Sequence, residues 1–238
     1  MENQLTRQGY NHWASTYDTQ KNRTRDLEAK AIRQILSPGF FPHILELGCG
    51  TGKNSAWLAS VCDRLISVDF SEEMLARARQ KNLGPGVRFI QADILGKWDF
   101  GNHPFDLIVF SLVLEHIENL EDIFEKASLC LKPNGYIYLG ELHPYKQYLG
   151  SKARFETANG VTELPCFIHD IAEYFAAALK FGFTLVNLRE WRDDDDPAMP
   201  PRIISMLFRK TDPTAEWYNQ TEGKDKLYVD RDPVIRTV

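Results

Sequence analysis

The stretch Leu45-Glu46-Leu47-Gly48-Cys49-Gly50-Thr51-Gly52 decides the fold. A short apolar run that begins at His43 stops on three alternate glycines, the pattern of a strand turning into a helix. Glycine admits positive φ and lets the main chain approach a ligand with no Cβ in the way. The carboxyl end of a parallel strand is where open α/β sheets bind small molecules. A tight structural turn uses the same residue types, so the loop is tested against two phosphate motifs. For a P-loop, counting back from Gly52-Lys53 puts Leu47 at the first glycine position and Asn54 where the magnesium-binding hydroxyl belongs, and the match fails. A dinucleotide fingerprint meets Lys53 at its sixth position when started at Gly48, and Ser55 when started at Gly50. Nicotinamide or flavin binding is weakened by that mismatch.

Beyond the loop, helix and strand alternate. The spacing predicts a helix from Lys53 to Val61, a strand from Leu65 to Val68, and a helix opened by Ser71 with Glu72 and Glu73 in its first turn. Strands follow at Val87 to Ile90 and at Phe105 to Phe110, the latter apolar enough to be buried on both faces of a parallel sheet. A helix capped by Asn119 carries Ile123, Ala127 and Leu131 on one face and stops at Lys132-Pro133-Asn134-Gly135, ahead of a strand from Tyr136 to Glu141. Residues 142–168 show no clear period and are read as an inserted lid, because loops this long in a compact domain tend to be functional. Regularity returns with a helix from Asp170 to Lys180 and with strands Phe183 to Trp191 and Ile203 to Phe208, expected as an antiparallel hairpin closing one edge. The first forty residues carry Tyr10, Trp13, Tyr17, Leu27, Ile32, Ile35 and Leu36 at spacings that suit a helical cap. The organisation expected is one domain over 1–210, with the cap at 1–40 and the lid at 142–168, then a C-terminal extension over 211–238.

Composition narrows the partners. The 238 residues are 43% hydrophobic and 26% charged, which excludes disordered and collagen-like chains. Lys plus Arg number 28 against 33 Asp plus Glu, a net charge of -5, the wrong sign for a nucleic-acid binder. The opening Met1 to Thr6 lacks a signal-peptide core, and no apolar run approaches the ~20 residues of a membrane span, so a cytoplasmic protein is expected. Cysteines at 49, 62, 130 and 166 form no C-x-x-C pair and are expected as free thiols. The run Asp193 to Asp196 lacks the alternate spacing of a calcium loop and is read as a solvated surface, with no metal.

Asp69 stands at the end of the second strand, 19 positions beyond Gly50, where a carboxylate can accept both hydroxyls of an adenosine ribose. Asp93, after the third strand, offers a second acceptor, suited to an adenine amino group. Phe70, Met74 and Ile94 read either as walls for the ring or as ordinary core.

These residues resemble the class I S-adenosylmethionine-dependent methyltransferases of the small-molecule, UbiE-like group, over about residues 10 to 141. The resemblance rests on Glu46 to Gly52, on Val68-Asp69-Phe70-Ser71-Glu72-Glu73-Met74-Leu75, and on Ala92-Asp93. It also rests on Phe105-Asp106-Leu107-Ile108 with Leu114-Glu115-His116-Ile117, and on Leu131-Lys132-Pro133-Asn134-Gly135. The early Tyr10 to Asp18 is similar to the aromatic segment that precedes the core in this group and folds over the cofactor. The likeness implies a Rossmann-like, seven-stranded, mostly parallel sheet with helices on both faces. It implies S-adenosylmethionine as cofactor and a small-molecule acceptor. S-adenosylmethionine has no phosphate, which accounts for the missing pyrophosphate turn. Its methionine end is assigned to Glu46, to main-chain groups of Gly48, Cys49, Gly50 and Gly52, and to Tyr17. Ser111 lies at the family position lining the methionine arm, with a structural cap as the competing reading.

Methyl transfer from a sulfonium is an in-line displacement in which the enzyme aligns the acceptor and excludes water, with a base where the nucleophile must lose a proton. His143, at the carboxyl end of the fifth strand beside the lid, is the candidate base; Glu141, His116 and His169 are weaker alternatives. Tyr145, Tyr148, Phe155 and Phe167 either line the acceptor pocket or anchor the lid. The competing functional readings are a dinucleotide-dependent oxidoreductase and a protein that holds S-adenosylmethionine without turnover. A monomer and a homodimer both remain open.

Overall fold

The computed structural model describes residues 2–37, 39–101, 103–157 and 160–211. Nearly all of the extension expected over 211–238 lies outside the described residues, as does the Phe155 side chain. In chain order the elements are α1 (Glu2–Trp13), α2 (Arg23–Leu36), β1 (His43–Leu47), α3 (Ser55–Leu58), β2 (Arg64–Asp69), α4 (Glu72–Gln80), β3 (Val87–Gln91) and β4 (Phe105–Ser111). A 3-10 turn at Leu114–His116 leads to α5 (Leu120–Cys130), β5 (Leu131–Leu142), α6 (Pro144–Tyr148), β6 (Arg154–Thr157), β7 (Gly160–Glu163), α7 (Ile171–Lys180), β8 (Phe183–Trp191) and β9 (Ile203–Lys210). Seven strands form one sheet in the order β3-β2-β1-β4-β5-β9-β8. The first five pair in parallel, while β9 runs antiparallel to both β5 and β8. This is the α/β, Rossmann-like architecture expected.

The strand period of two splits the core into two layers. Leu45 and Leu47 of β1, Ile108 and Phe110 of β4, and Ile137 and Leu139 of β5 share one face with Phe124 of α5 and Ala177 of α7. Ile44, Leu107, Val109 and Tyr138 face the other way, against Ile32 and Leu36 of α2 and Leu58 of α3. Each fully buried Leu, Ile or Phe contributes about 2 kcal/mol by leaving water. Caps set where the helices begin: the Ser71 hydroxyl accepts from Met74 N at 3.2 Å, and the Asn119 side chain accepts from Glu121 N at 3.1 Å.

The structure revises several boundaries. The helix expected over 53–61 contracts to Ser55–Leu58, because Ser60 N and Val61 N bond back three residues, to Trp57 and Leu58, and tighten its last turn. Strand β5 reaches back to Leu131, which pairs with Phe105 across a bulge, so α5 passes straight into strand. The 142–168 segment holds α6 and an antiparallel hairpin of β6 and β7, elements of four or five residues, too short to show a period. Within the expected cap, most of helix α2 packs on the sheet: its buried Ala29, Ala31, Ile32 and Leu36 make it part of the layer against β5 and β9.

Candidate active site

The carboxyl ends of the parallel strands converge on the glycine loop. Gly48, Gly50 and Gly52 have φ of +73°, +54° and +76°, the left-handed region. A Cβ on Gly48 would lie 2.5 Å from Val113 Cγ2, so the loop after β1 and the segment after β4 approach as closely as bare main chain allows. Asp69, at the end of β2, ties the loop down: Oδ2 accepts the Gly50 N–H at 2.7 Å and Oδ1 the Ser71 N–H at 2.9 Å. Burial pushes its carboxyl up to about 6, opposed by those main-chain donors.

A cavity opens between these strand ends and the N-terminal segment. Among the residues assigned from sequence, Tyr17, Gly48, Asp69, Phe70, Asp93, Ile94 and Ser111 line it. Tyr10, Ala92, Leu112, Val113, His116 and Ile117 complete the wall. Tyr10 OH lies 2.9 Å from His116 Nε2, and its ring lies 6.0 Å from Phe70 and stacks on Trp13 at 5.9 Å. Two hydroxyl bonds dock this aromatic segment on the sheet: Thr51 Oγ1 to Asp18 at 2.6 Å and Ser71 Oγ to Asn11 at 2.6 Å. The aromatic spacing hinted at Tyr10, whereas nothing local marked Leu112 or Val113, which only the β1–β4 approach brings in.

The remaining assigned residues lie outside that lining. Glu46 is buried on the opposite face of β1, where its carboxylate accepts from the hydroxyls of Ser67, at 2.7 Å, and Ser55; burial lifts it to about 7. Cys49 is buried, and its thiol is pushed well up by desolvation. Gly50 presents its N–H to Asp69, while a Cβ on Gly52 would lie 3.2 Å from Ala78 of α4, so Gly52 serves close packing. Met74 packs with Trp13, Ala14 and Leu164 beneath the N-terminal segment.

His143 is placed away from the cavity. It caps α6, with Nδ1 accepting from Tyr145 N at 3.1 Å and Nε2 lying 3.1 Å from Glu190 of β8. Burial lowers its pKa. Glu141 accepts from Val113 N and Leu114 N, at 3.2 and 3.1 Å, and so braces the turn after β4; burial raises it to about 8. His169 Nε2 meets Ile117 O at 2.7 Å. The Asp193–Asp196 run is not a uniformly solvated face: Asp193 is clamped by Arg202, and Asp195 pairs with Lys30. Tyr145 and Tyr148 are exposed, and the Phe167 N–H bonds the Glu115 carbonyl. Glu115, His116 and Cys166 bring ligand atoms within 4.8 Å of one another, but His116 Nδ1 lies 2.9 Å from Pro165 O and burial holds the Cys166 thiol up at about 12, protonated. The four cysteines are unpaired, and among the described residues no helix is long and apolar enough to cross a membrane.

A parallel α/β sheet extended by an antiparallel β9–β8 pair, with a bare glycine loop after β1 and a buried carboxylate ending β2, defines the class I methyltransferase fold. Comparison with known proteins agrees. Residues 45–139 match the family described as a methyltransferase domain. An uncharacterized methyltransferase of Emericella nidulans is 26% identical over 90% of this chain and 87% of its own length. The trans-aconitate 2-methyltransferase of an Acidovorax strain is 38% identical over 40% of this chain, which spans 36% of that relative. Among solved structures, the DhpI–SAH complex superposes with a TM-score of 0.70 at 21% identity, covering 87% of this chain and 96% of that one. Residues 45–139 thus match a methyltransferase domain, and the fold is the one that S-adenosylmethionine-dependent methyltransferases of known structure share.

Proposed function

We propose that the cavity under Tyr10 and Tyr17 holds S-adenosylmethionine and that the chain transfers its methyl group to a small-molecule acceptor. Asp69 accepts the ribose hydroxyls, Asp93 takes the adenine amino group, Phe70 and Ile94 flank the ring, and Gly48 with Ser111 and Tyr17 borders the methionine arm. The observation that carries this reading is the Asp69 carboxylate, held by Gly50 N and Ser71 N at the mouth of the glycine loop. Glu46 acts one layer down, gripping Ser55 and Ser67 so that the loop keeps its shape. Cys49, Gly50, Gly52 and Met74 support the same loop and the aromatic segment above it.

The donor is electrophilic already, so the chain's work is alignment and exclusion of water. Tyr10 and Tyr17, backed by Trp13, close the cavity with apolar surface. His143, bound through both nitrogens, serves this reading as the cap of α6, and residues 142–168 as the cover on the acceptor side. Membership of the small-molecule, UbiE-like group and action in the reducing cytoplasm belong to the same proposal, supported by the unpaired thiols.

Calorimetry tests the donor assignment. S-adenosylhomocysteine is expected to bind the full chain, and Asp69→Ala to weaken it by about 2 kcal/mol, since hydroxyls lose a charged acceptor. Uptake of a nicotinamide dinucleotide in its place would overturn the reading.

A further inference from the structure

A second cavity of about 720 Å³ adjoins the donor cavity and shares Tyr10, Tyr17 and Leu112 with it. Six cationic side chains line it, Lys21, Arg23, Arg25, Lys152, Arg154 and Arg202, against one carboxylate, Glu115. The chain as a whole carries a net charge of -5, so this concentration of positive charge runs against its composition. Two of the cations are already matched: Arg202 is clamped by Asp193, and Lys152 lies 3.6 Å from Glu163.

Arg25 is different. It is 8% exposed, and its guanidinium lies 3.9 Å over the Tyr17 ring and 5.4 Å over Trp13. Its terminal nitrogens donate to the carbonyls of Tyr17 and Gln20, its Nε has no partner, and among the described residues no carboxylate pairs with it. A buried cation without a counter-ion is unfavourable, and Arg25, which lines this cavity, draws an anion into it. Lys21, Arg23 and Arg154 are exposed and likewise form no ion pair among the described residues, which leaves a rim that attracts anions. Because Arg25 lies against the ring that also lines the donor cavity, an anion held there sits next to the methyl donor.

We propose, resting on the donor reading above, that the methyl acceptor is a small carboxylic acid bound as its anion in this cationic cavity and methylated on a carboxylate oxygen. A lone pair of that oxygen forms the O–CH3 bond as the C–S bond breaks, and the bonding pair stays on sulfur. Sulfonium and carboxylate become a neutral thioether and a neutral methyl ester, and no proton has to move. The step therefore needs no base. This fits a site in which His116 is engaged by Tyr10 OH and Pro165 O, and His143 by Tyr145 N and Glu190. Burial raises the Glu115 carboxyl, which lessens the negative charge it sets against a bound anion.

The test uses the full chain saturated with S-adenosylhomocysteine and titrated with succinate, trans-aconitate and benzoate, each beside its amide. At least one acid is expected to bind more than tenfold tighter than its amide. Lys21→Glu with Arg154→Glu, two exposed charge reversals, should weaken that acid more than tenfold while the S-adenosylhomocysteine affinity stays unchanged. Arg25→Gln should abolish acid binding where circular dichroism shows the protein folded. With methyl-labelled donor, the label should transfer to the bound acid and be released as methanol by mild alkali. Binding of S-adenosylhomocysteine with no acid preferred over its amide, an acid affinity indifferent to the charge reversals, or an alkali-stable label would each overturn the proposal. Failure of S-adenosylhomocysteine itself to bind would instead strike the donor reading.

Discussion

The two cavities meet at Tyr10, Tyr17 and Leu112, yet they are built in opposite ways. The donor cavity draws its walls from consecutive strand ends between Gly48 and Ile117, and its strongest polar groups are carboxylates. The adjoining cavity gathers Lys21 to Arg25, Ser151 to Arg154, Val161 and Arg202 from three distant parts of the chain, and its charged groups apart from Glu115 are cations. One suits the hydroxyls and amino group of an adenosine; the other suits an anion. The contrast teaches that the geometry of a sheet edge can supply one cavity alone, while the charge of its neighbour is set by whatever loops and helices assemble above it.

The most disruptive way to break the contrast is Gly48→Val. The backbone at φ +73° and a Cβ 2.5 Å from Val113 Cγ2 leave no room. Expected costs are about 3 kcal/mol of stability in urea denaturation and loss of measurable S-adenosylhomocysteine binding. Unchanged affinity would show that the donor cavity does not depend on this close approach.

Asp69→Asn comes next and keeps the shape while removing the charge. It should cost about 2 kcal/mol, roughly thirtyfold in donor affinity. With burial lifting the carboxyl to about 6, wild-type affinity should rise between pH 5 and 7 as the proton leaves, and the variant should show a flat profile. Stability moves the other way. A folded-state pKa raised above the unfolded value of about 3.9 contributes stability that is fully present below that value and is lost as pH rises through about 6. A calorimetric pH series alongside thermal melts separates the two trends.

The mildest probe is Ser71→Ala, which removes the cap on Met74 N and the contact to Asn11. About 1 kcal/mol of stability should be lost, with donor affinity falling severalfold because α1 is less firmly held. Acid binding next door should be unaffected; equal losses in both cavities would mean that they are one site.

Much of the donor side was legible because its signals are local. Gly48, Asp69 and the caps Ser71 and Asn119 each act on main chain within a few residues or at a strand end, and the periods of two and 3.6 marked the elements around them. His143 shows where such reading stops. Its place at the end of β5 followed from the chain, but the ring turns to Glu190, 47 residues away on β8. Arg25 gave no signal either: within an amphipathic helix it reads as a surface cation, and only packing on Trp13 and Tyr17 buries it.

The amino-acid sequence alone determined the alternation of strands and helices, the bare loop after β1 and the carboxylate that faces it, because steric freedom, capping and burial periodicity act between near neighbours. The insertion of β9 between β5 and β8, the pairing of Asp193 with Arg202, and the gathering of cations around Arg25 were decided by tertiary structure. Charges far apart in the chain acquire a common field only when packing removes the water between them.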